Sequence, residues 1–169
     1  MTSHPPSLIG VLADTHNNRD NTCAALDIFR ERNVDRLIHC GDVTGPRLLE
    51  LFAGFQVWLV RGNNDFDGLG LRAQARRLGN VRYMGADAQL EFDGHAVAVA
   101  HGDDAGLVEN LVFSRAYEWV FCGHSHSRAL ESHGATRLLN PGALGGRRTE
   151  PRSVAIVDLA CGEAEFVCL

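Results

Sequence analysis

The sequence predicts a single α/β domain, spanning residues 1–169, built on two sheets. Three observations carry that reading. Apolar runs of strand length recur at residues 8–13, 36–40 and 55–61, separated by segments with helical periodicity. That order favours a parallel sheet joined by crossovers. Beyond Asp65 the pattern changes to hairpins, which calls for a second sheet. A chain of 169 residues holds one substantial core and is short for two.

The first strand, residues 8–13, runs directly into Asp14-Thr15-His16. If the strand conformation persists, Asp14 and His16 point the same way. Burying an acid at the end of a core strand is costly unless a positive charge meets it, and a metal ion is one answer. A polar loop is expected at 17–21, then a helix at 22–32 with Ala25, Leu26 and Phe29 on one face and Asn33 as its stop. The second strand, 36–40, ends in Gly41-Asp42. Pro46 opens the next helix and Gly54 closes it. The third strand ends in Gly62-Asn63-Asn64-Asp65.

A short Arg-rich helix follows at 71–78. Residues 90–92 and 95–100 form a hairpin about Asp93-Gly94, and its second strand ends in His101-Gly102. A helix is expected at 107–117. A strand at 118–122 ends in Gly123-His124-Ser125-His126. Short strands at 129–133 and 136–139, a turn at 140–143, and a closing hairpin of 154–159 with 164–169 complete the chain.

Composition excludes several classes. The net charge of −5 disfavours a nucleic-acid backbone as the main partner. All sixteen basic side chains are Arg, a compositional bias and no functional signal. Five Cys without a CxxC pair argue against a disulfide or zinc-finger framework and for reduced thiols in the cytoplasm. Residues 1–7 carry no apolar signal region and read as a flexible tail, and no stretch is long enough to span a membrane.

Each central strand therefore stops at a potential ligand: Asp14 and His16, Asp42, Asn63, His101, and His124 with His126. In open α/β sheets, ligands gather outside the carboxyl ends of strands. If these ends converge, two carboxylates, one amide oxygen and four imidazoles meet. That set exceeds one tetrahedral site and suits two divalent ions sharing a ligand. Oxygen and nitrogen donors without thiolate fit Mn, Fe, Zn, Ni or Co. Two such ions about 3.5–4 Å apart can hold a bridging hydroxide and clamp a phosphoryl group. Gly41, Gly62, Gly102 and Gly123 beside the ligands allow tight turns and close approach by a substrate.

The ordered series DTH, GD, GNND, HG, GHSH and NPG, from Leu8 through Gly142, resembles the calcineurin-like metallophosphoesterases, and more narrowly their small YfcE-like phosphodiesterase branch. The resemblance implies a four-layer αββα sandwich, two mixed sheets back to back with helices outside. It implies that Asp14, His16 and His126 bind one metal, that Asn63, His101 and His124 bind the second, and that Asp42 bridges both. Mn²⁺ is the expected ion. The implied reaction is in-line attack on phosphorus by a metal-bridging hydroxide, with Asp42, His101 and Asn64 carrying catalysis.

Three positions depart from the family pattern. Asn64 stands where many members have a His; it can donate a hydrogen bond but cannot act as a general acid. His101-Gly102-Asp103 replaces HGH, and the charge of Asp103 and Asp104 favours a monoanionic diester over a dianionic monoester. Ala143 replaces a Ser that often follows NPG.

Other residues have plainer readings. His39 reads as a core residue or one that orients a ligand. His95 and His133 read as surface residues, and His4 belongs to the tail. Asp65 either orients the GN loop or meets solvent. Arg147 and Arg148 are either a solvated pair or an anion contact. The expected partner is a small phosphoester or nucleotide-like substrate, with a second copy of the chain as a candidate protein partner. The rivals are a phosphomonoesterase or nucleotide hydrolase on the same site, and a Vps29-like protein-binding scaffold. Intact ligands at every matching position argue against the scaffold.

Overall fold

Apolar side chains sort into three buried groups, and these define the layers of the molecule. The computed structural model describes residues 7–169. Most of the tail expected at 1–7, His4 included, lies outside the described residues. Ser7 is the exception and is not tail-like: it is buried, and its hydroxyl donates to Asp93 (2.6 Å).

The first half alternates β1 (Leu8–Leu12), α1 (Arg19–Glu31), β2 (Arg36–His39), a 3-10 helix (Pro46–Phe52), β3 (Gln56–Val60), α2 (Gly68–Leu78) and β4 (Val81–Gly85). The second half runs β5 (Asp87–Phe92), β6 (His95–Ala100), α3 (Ala105–Phe113), β7 (Trp119–Phe121), β8 (Arg128–His133), β9 (Thr136–Pro141), β10 (Ser153–Asp158) and β11 (Glu163–Cys168). Six strands form one sheet in the order β11-β10-β1-β2-β3-β4, and five form the other as β5-β6-β7-β9-β8. Pairs β1–β2, β2–β3 and β3–β4 are parallel, as are β6–β7 and β7–β9, while the closing pairs are antiparallel. Both sheets are therefore mixed.

Between them lies one apolar layer containing Ile9, Val11, Ile38, Trp58, Val99, Trp119 and Phe121. A second group packs Phe29, Leu48, Phe52 and Leu71 onto the outer face of the six-stranded sheet. A third packs Leu111 and Val112 of α3 onto Ala98 and Val120 of the other sheet. Alternating burial along each strand thus feeds two different layers, and the four-layer αββα sandwich follows.

The structure differs from the sequence expectation at several ends. Helix α1 starts at Arg19, not at 22, because Asn18 caps it and accepts from the Asn21 amide at 3.0 Å. Capping residues are polar and look like loop. Residues 46–52 form a 3-10 helix with Leu49 and Phe52 buried at i, i+3 spacing. Helix α3 runs from Ala105 to Phe113, two residues earlier than expected at its start, because the Asp104 carboxylate accepts from the Leu107 amide at 3.0 Å. Strand β4 has no counterpart in the expectation. It is an edge strand with Val81 as its one buried residue, so its apolar alternation is weak. Asn140 and Pro141 finish β9 instead of starting a turn. The Asp93-Gly94 turn is as expected, with φ values of 53° and 88°.

Candidate metal centre

The strand ends of both sheets meet at one edge of the sandwich, and each ligand loop leaves its strand abruptly. Asp14 and His16 have φ of 53° and 42°, so the strand conformation does not persist and period-two geometry is not what aligns them. Backbone bonds align them instead. The Asp14 amide donates to the Gly41 carbonyl (3.0 Å), and the His16 amide to the Asp42 carbonyl (2.9 Å). Asp42, His124 and His126 are also left-handed, at φ 59°, 68° and 59°. Such strain at non-glycine residues persists only where surrounding structure over-determines it, and it clusters at functional sites.

Asp14, His16 and His126 converge so that one ligand atom from each lies within 4.8 Å of the others. His16 Nε2 faces His126 Nε2 at 3.3 Å, and His126 Nε2 stands 3.4 Å from Asp14 Oδ1. A second group joins Asp14, Asp42 and His101 by the same measure. Asn63 Oδ1 lies 2.9 Å from His101 Nε2 and 3.1 Å from His124 Nδ1, which ties those three side chains together. Asp42 Oδ2 sits between the two groups, 3.5 Å from both His16 Nε2 and His101 Nε2. All seven expected ligands therefore share one site.

The donor set fits divalent cations. Among the described residues, Asp14 Oδ1 is the buried side-chain oxygen without a hydrogen-bond partner. A buried carboxylate oxygen left unpaired is expensive, and a cation beside it removes the cost. The site's electrostatics carry the same demand. Burial pushes the Asp14 carboxyl up to about 6. Burial would lower His101, but its hydrogen bonds to Asp42 and the Cys40 carbonyl outweigh that and raise it to about 9. Without metal, the His101 proton supplies the positive charge that the carboxylates require. Burial also works against Asp42, yet the His101 and Asn64 hydrogen bonds hold it below the usual carboxylate range. His16 is lowered, mainly by burial, which favours its neutral form.

The surrounding residues orient these ligands. His101 Nδ1 faces the Cys40 carbonyl at 2.7 Å, and His126 Nδ1 faces the Arg147 carbonyl at 2.8 Å, which turns each Nε2 toward the centre. Asp65 does not point to solvent. It accepts from the amides of Asp42 (3.0 Å), Gly62 (2.8 Å) and Thr44 (2.7 Å), and so locks the two loops together. His39 is fully buried, with Nε2 3.1 Å from Thr15 Oγ1 and Nδ1 accepting from the Gly41 amide. Burial drives its pKa down to about 3, so it is a neutral core group. Gly123 makes room for Asp14: a Cβ there would stand 2.8 Å from Ala13 Cβ and 2.9 Å from Asp14 Oδ2.

Asn64 donates from its backbone to Asp42 Oδ1 (2.8 Å) and from Nδ2 to Asp42 Oδ2 (2.7 Å). Its amide thus lies against the shared carboxylate. Asp104 is engaged in capping α3, while Asp103 is exposed in a 160 Å³ hollow that also includes Arg61 and His101. Phe66 and Leu69, 89% and 83% exposed, stand just beyond the GNND loop.

Sequence reasoning missed the roles of Asn140, Gly145, Gly146 and Arg152. Asn140 Nδ2 donates to the Gly123 carbonyl (2.6 Å) and to Ser125 Oγ (3.0 Å), fastening the NPG turn to the GHSH loop. The Gly145 amide donates to the Asp14 carbonyl at 2.7 Å. The Arg152 guanidinium donates to the carbonyls of Gly145 and Gly146. The available signal was a Gly-Gly pair close behind a motif turn, in a chain whose other site glycines all abut ligands.

The chain is similar to several known proteins. The model of the calcineurin-like phosphoesterase superfamily domain matches residues 8–162. Phosphodiesterase MJ0936 of Methanocaldococcus jannaschii is 28% identical over 152 residues, covering 89% of this chain and 92% of that protein. A solved structure described as a novel archaeal phosphodiesterase superimposes with a TM-score of 0.89 at 27% identity, covering 96% of this chain and 99% of that one. The phosphoesterase Yfce of E. coli (TM-score 0.69, 19% identity, 95% and 98% coverage) and Vps29 of Cryptosporidium parvum (0.66, 17%, 97% of each) share the fold. The chain belongs to the calcineurin-like phosphoesterase superfamily and is a metal-dependent phosphoester hydrolase.

Proposed function

We propose that the chain is a phosphodiesterase with a binuclear metal centre. The observation that carries this reading is Asp42 Oδ2, placed 3.5 Å from an imidazole of each ligand group. Asp14, His16 and His126 would hold one ion, Asn63, His101 and His124 the other, and Asp42 both. When bound, two divalent ions supply positive charge for the phosphoryl oxygens and lower the pKa of a water for attack on phosphorus. Mn²⁺ is the ion we expect, with Fe, Zn, Ni and Co as alternatives. The protein's own part is to hold donors at fixed angles. Asp65 orients the Asp42 loop, the Cys40 and Arg147 carbonyls orient His101 and His126, and Asn64 holds Asp42 and can donate its second amide hydrogen to a substrate oxygen.

A diester preference is supported by the archaeal phosphodiesterases above and by the negative charge at Asp103 and Asp104. Among the described residues no helix is long and apolar enough to cross a membrane. The five cysteines are all free, which fits a reducing compartment, and on that ground we place the enzyme in the cytoplasm. The test is hydrolysis of bis-p-nitrophenyl phosphate beside p-nitrophenyl phosphate, by chelator-stripped protein with and without Mn²⁺. Metal-dependent release, greater from the diester, is the expected result. Greater release from the monoester overturns the diester preference, and release from neither overturns the phosphodiesterase reading.

Metal binding should also release protons. Asp14, raised to about 6, and His101, raised to about 9, must both lose a proton to ligate. Protons therefore compete with the metal across that interval, and affinity for Mn²⁺ should rise as pH is raised from 5.5 to 8.5. Calorimetric titration in buffers of different ionisation enthalpy reads the proton release directly. A pH-independent affinity would refute this account of the two groups.

A further inference from the structure

A 290 Å³ pocket lies beside the metal centre, roofed by α3 and floored by the outer face of β8 and β9. Val108 of α3, Ala129 of β8 and Leu138 of β9 give it apolar walls, and His124 forms the side shared with the metal site. Its charged lining residues are Glu109 and Glu131, and no Arg lines it. Among the described residues Glu109 has no basic side chain bonded to it, whereas Glu131 Oε2 is hydrogen-bonded to His133 Nε2 at 3.2 Å.

Three features give this pocket a ligand chemistry. It adjoins a ligand imidazole, so a substrate whose phosphorus lies at the metals can reach it without leaving the site. Its size is at the lower end of small-molecule pockets, which run from about 300 to 1,000 Å³. It therefore takes a single ring or a short chain. Apolar walls reward burial of such a group, whereas the two carboxylates repel a second anion.

Resting on the phosphodiesterase reading above, we propose that this pocket receives one uncharged, apolar ester arm of the substrate, such as an aryl group. The enzyme then selects diesters by the arm as well as by the phosphate. Compounds with a further anionic group on that arm are poor substrates. Val108, Ala129 and Leu138 set the selection.

The test separates binding from turnover. Equilibrium binding of diphenyl phosphate, dimethyl phosphate and bis(4-carboxyphenyl) phosphate to Mn²⁺-loaded protein is measured by calorimetry. Diphenyl phosphate should bind about 10-fold or more tightly than dimethyl phosphate, the gain expected from burying one ring. Bis(4-carboxyphenyl) phosphate should lose most of that gain. Filling the pocket by Ala129→Phe, and separately by Val108→Phe, should erase the preference while leaving dimethyl phosphate affinity and Mn²⁺ content unchanged. Two variants on different elements guard against one failing to fold. Equal binding of the diphenyl and dimethyl esters, or a preference that survives both fillings, overturns the proposal. Tight binding of the dicarboxylate overturns its charge selection. A preference that is present and lost on filling, in a protein that does not hydrolyse bis-p-nitrophenyl phosphate, supports the pocket and overturns the activity instead.

Discussion

Asp42→Asn is expected to lower diester turnover by about 100-fold or more while leaving the fold intact. Replacing a residue that merely orients a ligand typically costs about 10–100-fold in affinity or activity, and Asp42 is the residue we propose as a ligand shared between both groups. The substitution removes a full negative charge at the point that faces His16 and His101 at 3.5 Å. It keeps the shape. Asn is among the few residues that tolerate the left-handed backbone found here at φ 59°. Its amide oxygen can still accept from the Asn64 backbone. The metal-free melting temperature should therefore move by only about 2–4 °C, which corresponds to about 1 kcal/mol in a chain of this size. Turnover and bound Mn²⁺ measured on the same preparation decide the matter. Near-normal activity would sink the shared-ligand assignment, and a collapsed circular-dichroism spectrum would sink the claim that the residue serves function more than fold.

Gly146→Ala should be nearly as damaging, although Gly146 ligates nothing. A Cβ at this position would stand 2.6 Å from His16 Cδ2 and 2.7 Å from His126 Cε1. The backbone there has φ 60°, which disfavours any side chain. Arg152 prevents the loop from retreating, because it is bonded to the carbonyls of Gly145 and Gly146. The strain must therefore be taken up by the two imidazoles. We expect at least about a 10-fold loss of activity, comparable with disturbing other groups that orient ligands. Mn²⁺ bound per chain should fall, through loss at the side held by Asp14, His16 and His126. Gly134→Ala is the control. It has the same backbone constraint at φ 68° but no atom within 4 Å, so it should cost about 1–2 kcal/mol of stability and no activity. Full metal content in the Gly146 variant would show that the loop does not position the ligands.

The separate fates of these two residues mark how far the sequence reaches. Asp42 is legible because local pattern identifies it: an apolar strand stops at a glycine and a carboxylate, in step with similar stops elsewhere. Strand stops, helical faces and the Asp-Gly turn are properties of a few consecutive residues, and one-dimensional periodicity records them. On that basis the two-sheet α/β class and the candidate ligands follow from the sequence, and the motif order adds the family and its four layers. Edge strand β4 escapes the same method because its one buried residue leaves almost no period to read.

The closure of the site is a different kind of fact. Asp14 and His126 are 112 positions apart in the chain, yet their side chains stand 3.4 Å from each other. That proximity arises only when the two sheets pack through Val11, Ile38, Val99 and Phe121 and bring their carboxyl edges together. The same packing leaves Asp14 Oδ1 without a partner, turns Asp65 inward as a clasp between loops, presses Gly146 onto two imidazoles, and opens the apolar pocket beneath α3. By itself the sequence determined which residues are candidates for ligand chemistry, because strand stops are local. Only the tertiary structure decided how those residues face each other and what surrounds them, because sheet-on-sheet burial acts between segments that no short stretch of sequence relates.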